Sequence, residues 1–128
     1  MKSILVLIAE DEALEALLLS NCLKLEGYQV CEIASRGSEV IRIAAQEKPD
    51  IIVMDNGLAD GMSGLDTAVQ IRKFSTVPIL FLSGYLTDEM QAAIERMSPS
   101  KYLGKPARVT EIITEITKLL KLSSTATE

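Results

Sequence analysis

Short unbroken apolar runs alternate along this chain with stretches in which apolar residues recur every three or four positions. The runs are residues 4–8 (ILVLI), 51–54 (IIVM) and 77–83 (VPILFLS). Runs of this length with no polar face are expected of strands covered on both sides of a parallel sheet. Pro78 stands near the start of the third, where a missing N–H does least harm. Two weaker segments fit exposed edges. In 28–33 (YQVCEI), Tyr28, Val30 and Glu32 alternate with Gln29, Cys31 and Ile33, and 101–104 (KYLG) is short.

Helical spacing fills the gaps. Leu14, Leu18, Cys22 and Leu25 mark a first helix, with Gly27 as its stop. A second is expected over 35–48, closed by Pro49, and a third from Gly64 or Leu65 to about Phe74. Thr87 is a natural N-cap for a fourth, with Asp88 and Glu89 in its first turn. After Pro106, an apolar stripe of Val109, Ile112, Ile113, Ile116, Leu119 and Leu120 marks a fifth. Residues 1–122 thus read as one domain and 123–128 (SSTATE) as a frayed, disordered tail. The alternation predicts an α/β fold, (βα)5, with a doubly wound five-stranded parallel sheet. Strand order 2-1-3-4-5, the flavodoxin-like order, puts the two weaker strands at the edges.

Composition narrows the partners. A chain of 128 residues, 48% hydrophobic and 24% charged, has the size and balance of a single globular domain. Its formal charge of −5 argues against nucleic acid as a direct partner, because phosphate backbones need a basic surface. The chain contains no histidine, which removes His-based metal sites, Ser-His-Asp triads and histidine general bases. Cys22 and Cys31 are too few for a zinc site and read as small reduced residues. The apolar run near the start is only six residues long, too short for a signal peptide or a membrane span, so a cytoplasmic protein without membrane contact is expected.

In such a sheet ligands bind at the carboxyl ends of the strands, where the winding direction changes, here between the first and third strands. Glu10 and Asp11 follow the first strand, Asp55 ends the third, Ser83 ends the fourth and Lys105 follows the fifth. Taken singly, each has an ordinary explanation: anions at a helix N-terminus, turn residues, a solvated lysine. Those explanations are independent and do not place all five on one rim. Three clustered carboxylates repel unless a cation joins them. A hard divalent ion with oxygen ligands meets that need, Mg²⁺ foremost and Mn²⁺ as a substitute. A carboxylate beside such an ion can attack phosphorus and form an aspartyl phosphate, with a lysine and a hydroxyl holding the remaining phosphoryl oxygens.

On these residues the chain resembles the receiver domain of two-component response regulators over essentially its whole length. "AEDE" resembles the acidic pair, "VMDNGLADGMSG" the phosphoacceptor segment, "FLSG" the switch-hydroxyl strand and "KYLGKP" the lysine with its following proline. The resemblance implies that Asp55 is the phosphorylated residue, Glu10 and Asp11 hold Mg²⁺, and Gly57 offers its backbone carbonyl to the metal. It implies that Ser83 and Lys105 contact the phosphoryl group and that Tyr102 is the aromatic whose rotamer follows Ser83. The donor would be a histidine kinase or a histidine phosphotransfer protein. The face built from about 88 to 120, fourth helix, last strand and fifth helix (α4-β5-α5), would change for a downstream protein, with homodimerisation on phosphorylation a further expectation. No separate substrate is expected: the chain would catalyse only its own phosphorylation and dephosphorylation.

Departures from the family pattern carry expectations of their own. Ala59 stands where the family often has proline, which is expected to loosen the loop after Asp55. Gly84 replaces a common alanine and is expected to widen the backbone range after Ser83. Gly57 and Tyr85 occupy the two positions flanking the path of attacking water. Bare Gly57 is expected to leave one side open while Tyr85 shields the other. A phosphatase of the haloacid-dehalogenase type would need an acid at position 57, which is glycine. The polar residues after Leu122 leave no room for an output domain, so a stand-alone regulator is expected. A receiver excised from a hybrid kinase or a larger regulator, and a pseudo-receiver that binds without phosphorylation, are the alternatives.

Overall fold

The structure, a computed structural model, describes the backbone of residues 3–126 and the side chains of 3–122. The chain alternates β1 (Leu5–Ala9), α1 (Ala13–Leu25), β2 (Gln29–Val30), α2 (Gly37–Glu47) and β3 (Ile51–Asp55). It continues with α3 (Gly64–Ile71), β4 (Ile79–Ser83), α4 (Asp88–Arg96), β5 (Ser100–Gly104) and α5 (Val109–Ala126). All pairings are parallel and the order is β2-β1-β3-β4-β5, as the pattern predicts. Among the described residues, no helix is long and apolar enough to cross a membrane.

Every residue of β3 and β4 is buried, as is β1 after its first. Period-two alternation splits these strands between two cores. Leu7, Ile52, Met54, Ile79 and Phe81 pack under α2, α3 and α4. Val6, Ile8, Ile51, Val53, Leu80 and Leu82 pack under α1 and α5. Truncating a fully buried member such as Ile52 to alanine is expected to cost about 2–5 kcal/mol. At the opposite rim from the strand carboxyl ends, Arg72 acts as a staple. Its guanidinium donates to the carbonyls of Met97, Pro99, Val77 and Ser75, tying the end of α3 to the starts of β4 and β5.

Several sequence-based expectations need correction. The stripe chosen for α1 is mostly its exposed face: Leu14 is 82% and Leu25 86% exposed, while Ala16, Leu19 and Leu23 face the sheet. This helix is apolar on nearly every side, so periodicity alone could not choose its buried face. The expected strand over 28–33 shrinks to Gln29–Val30. Beyond it, Cys31 and Ile33 pack in opposite cores, so the alternation that placed them on one face breaks there. Helix α2 starts at Gly37 rather than 35 and ends at Glu47, capped by Lys48, which takes a left-handed conformation (φ 49°) before Pro49. Helix α3 stops at Ile71, short of Phe74. Helix α5 is assigned through Ala126, so no helix end falls at the expected break after Leu122; residues 127–128 of the expected tail lie outside the described residues. Thr87 caps α4 as expected, its hydroxyl accepting from the Met90 amide at 3.1 Å.

Candidate functional site

Strand register brings the expected residues to one height. Ala9 pairs with Met54, Asp55 with Leu82 and Ser83 with Gly104. Glu10 and Asp55 therefore stand level, with Ser83 one residue step and Lys105 two steps further along the rim. Alternation also sorts them by face. Glu10, Asp55 and Lys105 share the parity of Ile8, Val53 and Leu103, which pack toward α1 and α5. Ser83 shares the parity of Phe81, which packs toward α3 and α4.

The ion pairs follow that division. Lys105 Nζ lies 2.5 Å from Asp55 Oδ1, 3.4 Å from Glu10 Oε1 and 3.9 Å from Glu15 Oε2. Carboxylate oxygens of Glu10, Asp11 and Asp55 lie within 4.8 Å of one another. Glu10 and Asp55 are buried and Asp11 is exposed, so the cluster opens to solvent on one side. Burial, opposed by a bond from the Glu12 amide and reinforced by the charge of Asp55, pushes Glu10 up to about 7. Burial alone would lower the Lys105 ammonium, but the hydrogen bond and charge of Asp55, with Glu10 behind it, outweigh burial and hold it above its ordinary value. One lysine therefore serves two buried acids, and a third acid stands beside them. An all-oxygen donor set with excess negative charge, open on one side, fits a hard divalent cation.

Backbone packing fixes Asp55 from behind. Asn56 donates to the Leu82 carbonyl (3.2 Å), and Gly64, the first residue of α3, donates to the Asn56 carbonyl (2.9 Å). A Cβ on Gly64 would lie 2.6 Å from the Asp55 carbonyl oxygen, so only glycine lets α3 approach this closely. Gly57 donates its amide to Asp55 Oδ2 (3.2 Å), and the position of its absent Cβ is 3.7 Å from that oxygen.

On the other face, Ser83 Oγ donates to the Tyr85 carbonyl at 2.8 Å and is turned to its own loop. The Tyr102 hydroxyl donates to the Ser83 carbonyl (3.0 Å), its ring half-buried over Gly104 and packed against the α3/α4 core. Tyr102 is thus hydrogen-bonded to the residue with which the resemblance pairs it. The Tyr85 residue is 67% exposed. An ideal Cβ on Gly84 would meet nothing within 4 Å, so that glycine answers no steric need.

The loop after Asp55 corrects one expectation. Ala59 does not loosen it: its amide donates to the Ser35 carbonyl at 2.8 Å, a bond proline has no N–H to make. Sequence reasoning missed Asp60, whose carboxylate accepts from three backbone amides, and Gly37 and Gly64, whose missing Cβ atoms let the elements around the loop close. The signal available was the cluster of three glycines and two small polar residues over 57–64, in which only Gly57 and the helix start near Gly64 were assigned.

A family model for the response regulator receiver domain matches residues 6–117. Curated relatives include a transcriptional regulatory protein of Mycobacterium tuberculosis, PdtaR, 32% identical over 87% of this chain and 54% of its own length. Another is the phyllosphere-induced regulator PhyR of Methylorubrum extorquens, 33% identical over 94% of this chain and 45% of its own. The chain spans about half the length of the curated relatives it matches. Among solved structures, the signal receiver domain of a modulated diguanylate cyclase from Desulfovibrio desulfuricans is 28% identical, with a TM-score of 0.85 over 98% of this chain and 99% of that one. A CheY-like receiver domain protein from Methanospirillum hungatei superposes with a TM-score of 0.89 over 98% of this chain and 99% of that one; at 21% identity this bears on the fold alone.

Proposed function

The chain belongs to the response regulator receiver domain family, and from that premise we propose that it is a phosphoacceptor whose Asp55 takes a phosphoryl group from a phosphohistidine donor. The observation that carries the reading is the meeting of Glu10, Asp11 and Asp55 within 4.8 Å, with Lys105 bonded to the Asp55 carboxylate. An Asp55 oxygen attacks phosphorus as the phosphorus–nitrogen bond to the donor imidazole breaks, its electron pair returning to the ring nitrogen. Glu10, Asp11, Asp55 and the Gly57 carbonyl would hold Mg²⁺, which when bound would supply charge neutralisation to the transferring group. Lys105 exchanges its bond to free Asp55 for one to the transferred group. The buried position of Asp55 and the glycine packing behind it hold the nucleophile still.

Output follows from the Ser83 face. To reach a phosphoryl oxygen, the Ser83 hydroxyl gives up the Tyr85 carbonyl, which moves the segment between β4 and α4. Tyr102, bonded to the Ser83 carbonyl, responds to that movement. The α4-β5-α5 face then differs between the two states, as a shift of populations rather than a new fold. A downstream protein, or a second copy, reads that face. The chain acts on no separate substrate. Because its curated relatives are about twice as long, a second reading places the same chemistry within a longer regulator.

Incubation with acetyl phosphate and Mg²⁺, followed by intact mass, tests the reading. The wild-type chain is expected to gain one phosphoryl group that Asp55→Asn lacks. Equal labelling of both, or of neither, removes Asp55 as acceptor.

A further inference from the structure

Asp60 has no part in the chemistry described above, yet its carboxylate joins two elements. Oδ1 accepts from the Gly37 amide (3.0 Å) and the Met62 amide (3.3 Å), and Oδ2 from the Ser38 amide (3.2 Å). Gly37 and Ser38 open α2, whose own N-cap, Arg36, makes no side-chain cap. A carboxylate from the β3–α3 loop therefore satisfies two orphan amides of a different helix, where the dipole favours an anion. The Gly37 amide first, then those of Ser38 and Met62, hold the Asp60 carboxyl below its ordinary value. Two further contacts close the same seam. Ala59 donates to the Ser35 carbonyl, and a Cβ on Gly37 would lie 2.6 Å from Met62 Sδ and 2.7 Å from Thr67 Oγ1.

The other end of this loop is the site. Gly57 bonds Asp55 Oδ2 and bridges antiparallel to Ser63. The segment is therefore a strap, fastened to β3 and α3 at its ends and to the start of α2 in its middle. We propose that Asp60 is a positioning residue for phosphoryl transfer: by fastening the strap to α2 it fixes Gly57 against Asp55 and so sets the affinity of the acidic cluster for Mg²⁺. The inference rests on the phosphoacceptor reading. A strap already ordered loses less freedom when the cation binds than one free to move, and supporting contacts of this kind are worth roughly tenfold in metal affinity.

The test compares the full chain with Asp60→Ala, Asp60→Asn and Ala59→Pro. Mg²⁺ is titrated against the amide NMR signals of Asp55 and Gly57, with melting temperature and acetyl phosphate labelling measured alongside. Asp60→Ala is expected to bind Mg²⁺ roughly tenfold more weakly and to recover wild-type labelling at saturating Mg²⁺. Asp60→Asn, which keeps one carbonyl acceptor for α2, recovers part of the affinity. Ala59→Pro, which removes the second tie, shifts it in the same direction as Asp60→Ala. Wild-type affinity in Asp60→Ala beside a lowered melting temperature makes Asp60 a helix cap alone and overturns the proposal. Should Asp60→Ala not fold, wild-type affinity in both other variants overturns it. A wild-type chain that binds no Mg²⁺ and takes no phosphoryl group fails the phosphoacceptor reading instead.

Discussion

The two rims of this sheet solve opposite problems with the same kinds of residue. At the amino ends of the later strands, one cation, Arg72, is surrounded by backbone carbonyls and makes five hydrogen bonds, with no carboxylate partner among the described residues. Burial lowers its guanidinium, but the donors are matched to acceptors and the elements are locked. At the carboxyl ends, one cation, Lys105, faces Glu10, Asp55 and, at 3.9 Å, Glu15, with Asp11 beside them, and Glu10 and Asp55 are buried. Charge there is unbalanced, and Glu10 is pushed up to about 7. One rim is complete within the chain and stabilises it. The other gathers excess negative charge around one lysine, the donor chemistry that suits a hard cation.

The sharpest way to separate the rims is to remove one residue from each. Asp55→Asn is expected to abolish labelling by acetyl phosphate, a loss of at least about a hundredfold, while leaving the melting temperature unchanged or higher, because one of the repelling charges is gone. Arg72→Leu is expected to do the reverse. Its carbonyl partners lose their donors, the cost is roughly 2–4 kcal/mol by denaturant titration, and Mg²⁺ affinity of the remaining folded protein is unchanged. A labelling defect in Arg72→Leu larger than its loss of folded protein would merge the two rims into one cooperative unit.

Glycine substitutions sharpen the contrast within the functional rim. Gly64→Ala puts a Cβ 2.6 Å from the Asp55 carbonyl oxygen and is expected to cost about 1–3 kcal/mol and slow labelling. Gly84→Ala, with open space at its Cβ, is expected to change stability by less than about 0.5 kcal/mol.

The acidic rim also sets a pH dependence. In the metal-free chain the Glu10 carboxyl lies near 7 when folded and near 4.5 when unfolded, so the folded state holds its proton more tightly. Stability is full below about 4.5, declines as pH rises through the interval to about 7, and stays reduced above it. The expected loss is on the order of 2 kcal/mol. Glu10→Gln flattens the profile, and millimolar Mg²⁺ does the same at neutral pH. A profile that rises with pH over that interval would show that repulsion is not what governs this rim. A small effect is also expected at a partly exposed ion pair: Lys101→Ala, which breaks a 2.7 Å pair with Glu115, changes stability by less than about 1 kcal/mol and leaves labelling alone.

What the amino-acid sequence alone reveals follows the same division. Strand order and the convergence of Glu10, Asp11, Asp55 and Lys105 are local facts repeated along the chain: a buried run, then a charged residue at its end. Parallel register does the rest, since β1, β3, β4 and β5 end within two residue steps of one another. The face of α1 was not legible, because leucines ring that helix and only contact with the sheet selects Leu19 and Leu23 over Leu14 and Leu18. Arg72 and Asp60 were not legible for a different reason. Each draws its meaning from backbone groups of elements distant in sequence, and no spacing rule marks an arginine that meets carbonyls at 97 and 99 or an aspartate that meets amides at 37 and 38. Tyr102 and Ser83 sit between these cases: their contact crosses two strands, but both belong to one recognisable pattern.

The central claim, that three acids share this rim because a divalent cation completes them, is tested most directly by titrating Mg²⁺ into the unphosphorylated chain and following its backbone amides by NMR. Saturable shifts concentrated at residues 10–12, 55–58 and 105, lost in Asp11→Asn, are the expected result. Amides at those positions that stay unmoved at millimolar Mg²⁺, while the fold is intact, would contradict it.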